Sequence, residues 1–261
     1  MHHTTLTVFR TLARGCKTRV AAAMCVLGAC LSVSFGASAT PAFEDTLAQR
    51  LQACTGCHGE QGRASPGGYM PRLAGKPAGY LFHQLLNFRD GRRGYGPMTS
   101  LVDPLSDDYL EEIAAHFASL DLTYPPPQPA TASAATLERG ERLVRQGDPA
   151  AQVPACSRCH GDAMMGVAPA IPGLLGLPRD YVNAQLGAWR TGKRRAQAPD
   201  CMAHVAKQLS LSDIHAVSQW LAMQPVPPGA KPLAAWPAGQ RLPVACGGVG
   251  VDAVEASGAS R

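Results

Sequence analysis

A chain of 261 residues, 46% hydrophobic and 16% charged, is composed like a globular protein with room for one large domain or two modest ones. Its formal charge of +5 includes Arg10, Arg14, Lys17 and Arg19 of an expected leader; without them 20 Lys and Arg face 19 Asp and Glu, a net of +1. That balance removes the electrostatic case for nucleic-acid binding, and no nucleic-acid partner is expected.

In chain order, the four leader cations precede an apolar run from Val20 to about Phe35 and then Ala37-Ser38-Ala39. This is a positive n-region, an apolar h-region and an A-x-A cleavage site, so residues 1–39 are read as a secretory signal peptide. The run is short for a membrane span. An uncleaved or lipid-modified anchor at Cys30 is the alternative, since Leu27-Gly28-Ala29-Cys30 loosely matches a lipoprotein signal. The expected location is the periplasm, with membrane association through a partner.

Phe43, Leu47, Leu51 and Cys54 recur near a 3.6-residue period, which predicts a helix from Thr40 to Ala53. It leads into Cys54-Thr55-Gly56-Cys57-His58, a C-x-x-C-H string. In this string two cysteines add to the vinyl groups of one porphyrin, and the histidine supplies the proximal nitrogen of a c-type haem. A Gly- and Pro-rich stretch to Gly79 is no regular helix. Tyr80, Leu81, Gln84, Leu85 and Phe88 then mark a short helix ending near Gly91, followed by a loop that carries Pro97-Met98. Ser106, as N-cap, with Asp107, Asp108 and Glu111, opens a helix whose apolar face is Leu110, Ile113, Ala114, Phe117 and Leu120.

Tyr124-Pro125-Pro126-Pro127-Gln128-Pro129 and the Ala/Ser/Thr-rich residues after it read as an extended linker. The pattern then restarts. A helix over Leu137 to Gln146 leads to Cys156-Ser157-Arg158-Cys159-His160, a second C-x-x-C-H. Pro71, Leu73, Gly75, Tyr80, Gln84, Leu85, Phe88, Arg89 and Gly91 match Pro172, Leu174, Gly176, Tyr181, Gln185, Leu186, Trp189, Arg190 and Gly192, each 101 positions on. Met98 matches Met202, and Leu110, Ile113 and Phe117 match Ile214, Val217 and Leu221, all 104 positions on. This is an internal duplication. The expected architecture is all-α: two tandem cytochrome c-like domains over 40–122 and 136–225, a linker over 123–135 and an extension over 226–261, each domain wrapped around one covalent haem.

Two haem c groups are the expected cofactors, attached through Cys54, Cys57, Cys156 and Cys159, with His58 and His160 as iron ligands. Zinc is disfavoured because each motif offers at most three ligands and no second pair stands at zinc-finger spacing. Domains this small and poor in aromatic residues also need a supplementary core, which a porphyrin supplies. For the second axial position, a thioether stabilises ferrous iron and blocks exogenous ligands. Met98 and Met202 share a place in the repeat, on the loop before the last helix, whereas Met70, Met164 and Met165 have no counterparts. His83, His116, His204 and His215 share no repeat position either, so bis-histidine ligation is the minority reading. Arg89 and Arg190, with Arg92, Arg93, Lys193 and Arg194, are candidate propionate partners, a solvated basic loop being the alternative.

Of nine cysteines, Cys16, Cys25 and Cys30 leave with the leader and four sit in the motifs, so Cys201 and Cys246 remain as an expected disulfide. Cys201, beside Met202, is also a minor candidate for a thiolate ligand.

The two C-x-x-C-H-G strings, Leu73-Ala74-Gly75-Lys76-Pro77, Tyr80-Leu81, Gln84-Leu85, Phe88-Arg89-Asp90-Gly91-Arg92-Arg93 and Pro97-Met98 together resemble cytochrome c4, the two-haem class I cytochromes of bacterial periplasms. The resemblance covers roughly Thr40 to Gln224. It implies two lobes with haems facing across their interface, and Pro71 and Pro172 carbonyls accepting from the proximal imidazoles. It also implies an electron carrier, not an enzyme, working between a respiratory membrane complex or dehydrogenase and an acceptor such as a terminal oxidase. A catalytic di-haem enzyme, such as a peroxidase or sulfur-compound dehydrogenase, and a fixed cytochrome subunit are the alternatives. Asp200-Cys201-Met202 and the extension carrying Cys246 depart from the family pattern.

Overall fold

The computed structural model describes residues 46–237 and 239–249. The expected leader, Phe43 and the end of the tail lie outside them. Among the described residues the helices are α1 Leu47–Arg50, α2 Gln52–His58, α3 Ala78–Arg89, α4 Gly96–Val102 and α5 Asp107–Ser119 in the first half. The second half has α6 Ala134–Arg145, α7 Ser157–His160, α8 Arg179–Arg190, α9 Cys201–Gln208 and α10 Leu211–Met223. A two-stranded antiparallel ribbon, β1 Gly166–Val167 and β2 Ile171–Pro172, is the sole sheet among the described residues. None of the described helices is long and apolar enough to cross a membrane.

The helix starts follow from local chemistry. The Ser106 hydroxyl accepts from the Tyr109 N–H at 3.3 Å, and Ser210 and Asp213 form a reciprocal capping box at the start of α10. The Asp200 carboxylate caps α9 by accepting from the Ala203 N–H at 2.9 Å. Periodicity then sorts the faces. Leu110, Ile113, Ala114 and Phe117 of α5 pack with Leu81, Phe88 and Val102 in one core. Ile214, Val217, Trp220 and Leu221 of α10 pack with Leu143, Val144, Val182 and Leu186 in another.

One sequence expectation is corrected here. Met98 and Met202 lie on helices, α4 and α9, and not on loops. Pro97 suggested a loop, but a proline in the first turn of a helix gives up only an N–H that has no intrahelical acceptor. The stretch after Tyr124 is extended but docked: the Gln128 N–H donates to Ala222 O at 2.8 Å, and the Arg179 guanidinium grips Gln128, Pro129 and Thr131. Side-chain clamps such as Arg179 carry no periodicity, so composition alone missed them.

Helix α6 crosses α10 at Gly140. A Cβ there would overlap the Ala216 carbonyl oxygen and lie 2.8 Å from Trp220 Cβ. Backbone atoms cannot yield as a side chain can. Gly140→Ala should therefore destabilise the protein by about 1–3 kcal/mol through overpacking, read as a lowered Tm with unchanged haem content.

Candidate functional site

Each C-x-x-C-H string ends a short helix, and the chain reverses at the glycine that follows. Gly59 and Gly161 both adopt φ of +77°, a left-handed conformation costly for any other residue. The turn brings Pro71 and Pro172 back onto the histidines. His58 Nδ1 lies 2.8 Å from Pro71 O, and His160 Nδ1 lies 2.8 Å from Pro172 O. A carbonyl can only accept, so Nδ1 carries the proton in each ring and the Nε2 lone pair is left for a metal. Both histidines are only 7% exposed, and burial pushes their pKa down despite the opposing carbonyl, which keeps the ligating nitrogen unprotonated.

Burial pushes the Cys156 thiol up to about 12 and the Cys159 thiol up to about 11. Among the described residues no cluster of three or more His, Cys, Asp or Glu is arranged to hold a bare metal ion.

A single cleft brings Cys156, Cys159, His160 and Met202 together. Its walls are mostly apolar, from Leu174, Val182, Leu186, Val205, Val217 and Leu221, as a flat hydrophobic plate requires. Trp189 also lines it, and the buried Trp189 Nε1 has no hydrogen-bond partner. The donors, the apolar walls and this orphaned N–H all fit a porphyrin with anionic edges. In the first half, His58 is buried, and Cys54 and Met98 both pack against the Leu110–Phe117 core.

The other methionines and histidines stand elsewhere. Met164 and Met165 are buried in the second core, and the Met70 N–H donates to Ser65 Oγ. His204 and His215 are exposed, and His116 lies edge-on to Phe117 at 5.3 Å. His83 alone reaches the cleft, from the first half.

Arg89 and Arg190 are corrected as propionate partners. Arg89 Nη1 donates to Leu105 O at 3.0 Å and Nη2 pairs with Asp107 at 2.6 Å; Arg190 Nη1 donates to the Lys207 and Leu209 carbonyls. Arg89 therefore ties the end of α3 to the start of α5, and Arg190 ties the end of α8 to the C-terminal end of α9, the helix that carries Met202.

Arg93 and Arg194 act differently. They face each other across an antiparallel bridge between the halves. Arg93 donates to Gln84 at 3.0 Å and Gln185 at 2.9 Å; Arg194 donates to Gln185 at 2.6 Å and Gln84 at 2.8 Å. Tyr181 and Tyr80 hydroxyls complete the reciprocal pattern. Sequence reading missed this two-fold lock, although Arg93 and Arg194 stand 101 positions apart like the other matched pairs.

The expected Cys201–Cys246 disulfide is present, with Cα atoms 4.8 Å apart. What sequence reading missed is the wall that the C-terminal extension builds, with Leu242, Val244 and Val249 lining the cleft.

No family model matches the chain. A protein named thiosulfate dehydrogenase electron acceptor, from Thiomonas intermedia, is 38% identical over 73% of this chain and 87% of its own length. A cytochrome c4 from Pseudomonas aeruginosa is 37% identical over 66% of this chain and 84% of its own. The crystal structure of reduced recombinant cytochrome c4 from Pseudomonas stutzeri superposes with a TM-score of 0.59 at 34% identity, covering 67% of this chain and 95% of that one.

Proposed function

The chain belongs to the cytochrome c4 family of di-haem electron carriers, and from that membership we propose that it accepts electrons from a periplasmic sulfur-compound dehydrogenase and passes them to a respiratory acceptor. Its cofactors are two covalently bound haem c groups, whose iron supplies the one-electron chemistry. The chain's own residues hold, orient and seal them. Cys54 with Cys57 and Cys156 with Cys159 form the thioether links. His58 and His160 would bind the irons through Nε2, oriented by the Pro71 and Pro172 carbonyls. Met98 and Met202 would each supply a thioether sulfur to one iron. The two domains correspond to the halves around the two cores, with residues 226–237 and 239–249 as an added wall.

The observation that carries this reading is the gathering of Cys156, Cys159, His160 and Met202 around one apolar cleft. A closed coordination shell favours electron transfer over catalysis, because an enzyme needs an open or displaceable position. The dehydrogenase as donor is supported by the name of the Thiomonas relative.

Two measurements test it. Met98→Ala and Met202→Ala should each abolish about half of the weak near-infrared sulfur-to-iron band, while Met164→Ala and Met165→Ala leave it intact. Loss of the band in either of the latter pair overturns the ligand assignment. Reduced parent protein should bind carbon monoxide at neither haem, and oxidised protein should be reduced by a thiosulfate dehydrogenase supplied with thiosulfate. Failure of that reduction removes the proposed donor.

A further inference from the structure

The cleft around His160 is lined by residues of both halves. Lys76, Tyr80, His83, Gln84, Asn87 and Arg92 come from the first. Lys76 is the unusual member. Its ammonium has no carboxylate or hydrogen-bond partner among the described residues; the Tyr80 ring lies 6.0 Å away, and the Tyr181 phenol is near enough to favour its charge. Burial, with Arg72 and Arg194 nearby, pushes its pKa down to about 8. Its charge is felt by His160 of the other half.

The cleft offers little to neutralise it. Asp200 is the sole carboxylate among the lining residues, and both its oxygens are taken by the Ala196 and Ala203 N–H groups, at 2.7 and 2.9 Å. Arg92 is paired with Asp90 at 2.7 Å, and Arg194 stacks 3.7 Å from the Trp189 ring centroid with its donors on glutamines. Lys76 Nζ, without a carboxylate partner, and the orphaned Trp189 Nε1 come one from each half. A buried N–H without an acceptor is costly, and a half-buried ammonium gains from a counter-ion. A carboxylate entering the cleft would satisfy them together.

We propose that Lys76, reaching across from the first lobe, and Trp189 of the second jointly hold a propionate of the second haem, so that one lobe sets the reduction potential of the haem in the other. The arrangement is one-sided. The repeat places Leu177 where Lys76 stands and Phe88 where Trp189 stands, so the first haem receives neither donor. Neutralising a propionate favours the added electron on reduction, so the lysine raises the second potential and leaves the first nearly unmoved. The inference rests on the two-haem assignment above.

The test is a redox titration of the full two-haem protein, with each step assigned to its haem by the methyl resonances of partly reduced samples. Lys76→Gln should lower the second haem's reduction equilibrium about tenfold, which is 59 mV for one electron, with the first haem unchanged. Lys76→Arg, which keeps the charge, should restore most of the loss. Trp189→Phe should shift the same haem in the same direction by less, and the indole N–H resonance of the parent should respond to reduction. An unchanged second potential in Lys76→Gln, or an equal fall at both haems, overturns the proposal. Haem content by pyridine haemochrome, at two per chain, separates that failure from failure to load haem. If Lys76→Gln does not mature, a parental second potential in Trp189→Phe overturns the shared propionate contact.

Discussion

Protein made with Cys54, Cys57, Cys156 and Cys159 all replaced by alanine, and so unable to anchor haem, should lose most of its helical circular dichroism. The cleft around His160 has a cavity volume of about 200 Å³ and is walled by α8, α9, α10 and the C-terminal extension. Leaving a core cavity costs about 24 cal/mol per Å³. The penalty is then about 5 kcal/mol, comparable with the lower end of the ~5–15 kcal/mol that stabilises a whole domain. The helices cannot hold on their own. Helices α1 and α7 have four residues each, and α2 and α4 have seven, all far below the length at which an isolated helix persists in water. Collapse of the walls onto each other is opposed by the lock between the halves, because Arg93 and Arg194 must keep their glutamine partners. A haem-free chain with native helical signal and a cooperative thermal transition would refute this view of the porphyrin as core.

The same residues show what the sequence could convey. Helix faces were legible because burial repeats every three or four residues, as at Leu110, Ile113, Ala114 and Phe117. The histidine and cysteine positions were legible because covalent attachment demands fixed spacing, and the family resemblance supplied the Pro71 and Pro172 contacts that the structure displays. What escaped were contacts between segments distant in sequence. Arg190 looked like a propionate ligand because its charge was visible and the Lys207 and Leu209 carbonyls that take up its N–H donors were not. Lys76 read only as one letter of a motif, since its role depends on a cleft built by the other half. The extension is Pro-, Gly- and Ala-rich and has no period, yet it docks through backbone bonds that any sequence can make. The Leu233 N–H donates to Gly166 O at 2.9 Å, and the Gly247 N–H donates to Pro199 O at 2.9 Å.

Breaking the tie between the extension and α9 should be the most damaging single change outside the haem-binding strings. Cys201 opens α9, directly before Met202, and is bonded to Cys246 across a sequence separation of 45. Closing a loop of that length is worth about 4 kcal/mol by chain entropy. The bond also holds a wall in place: Val249 packs with Val167 and Ile171, and Leu242 and Val244 face the cleft. In the Cys201→Ser/Cys246→Ser double variant the extension keeps its backbone bonds but loses its covalent anchor beside the methionine. Tm should fall by about 10 °C, taking roughly 2–4 °C per kcal/mol for a chain of this size. Met202 then sits on a helix whose first turn is free to move, so its sulfur is displaced more readily than that of Met98. Reduced double variant should therefore bind carbon monoxide at one haem per chain, the second, while the parent binds none. Binding at the first haem, or a Tm within about 2 °C of the parent, would show that the extension is an appendage and not part of the second haem's enclosure.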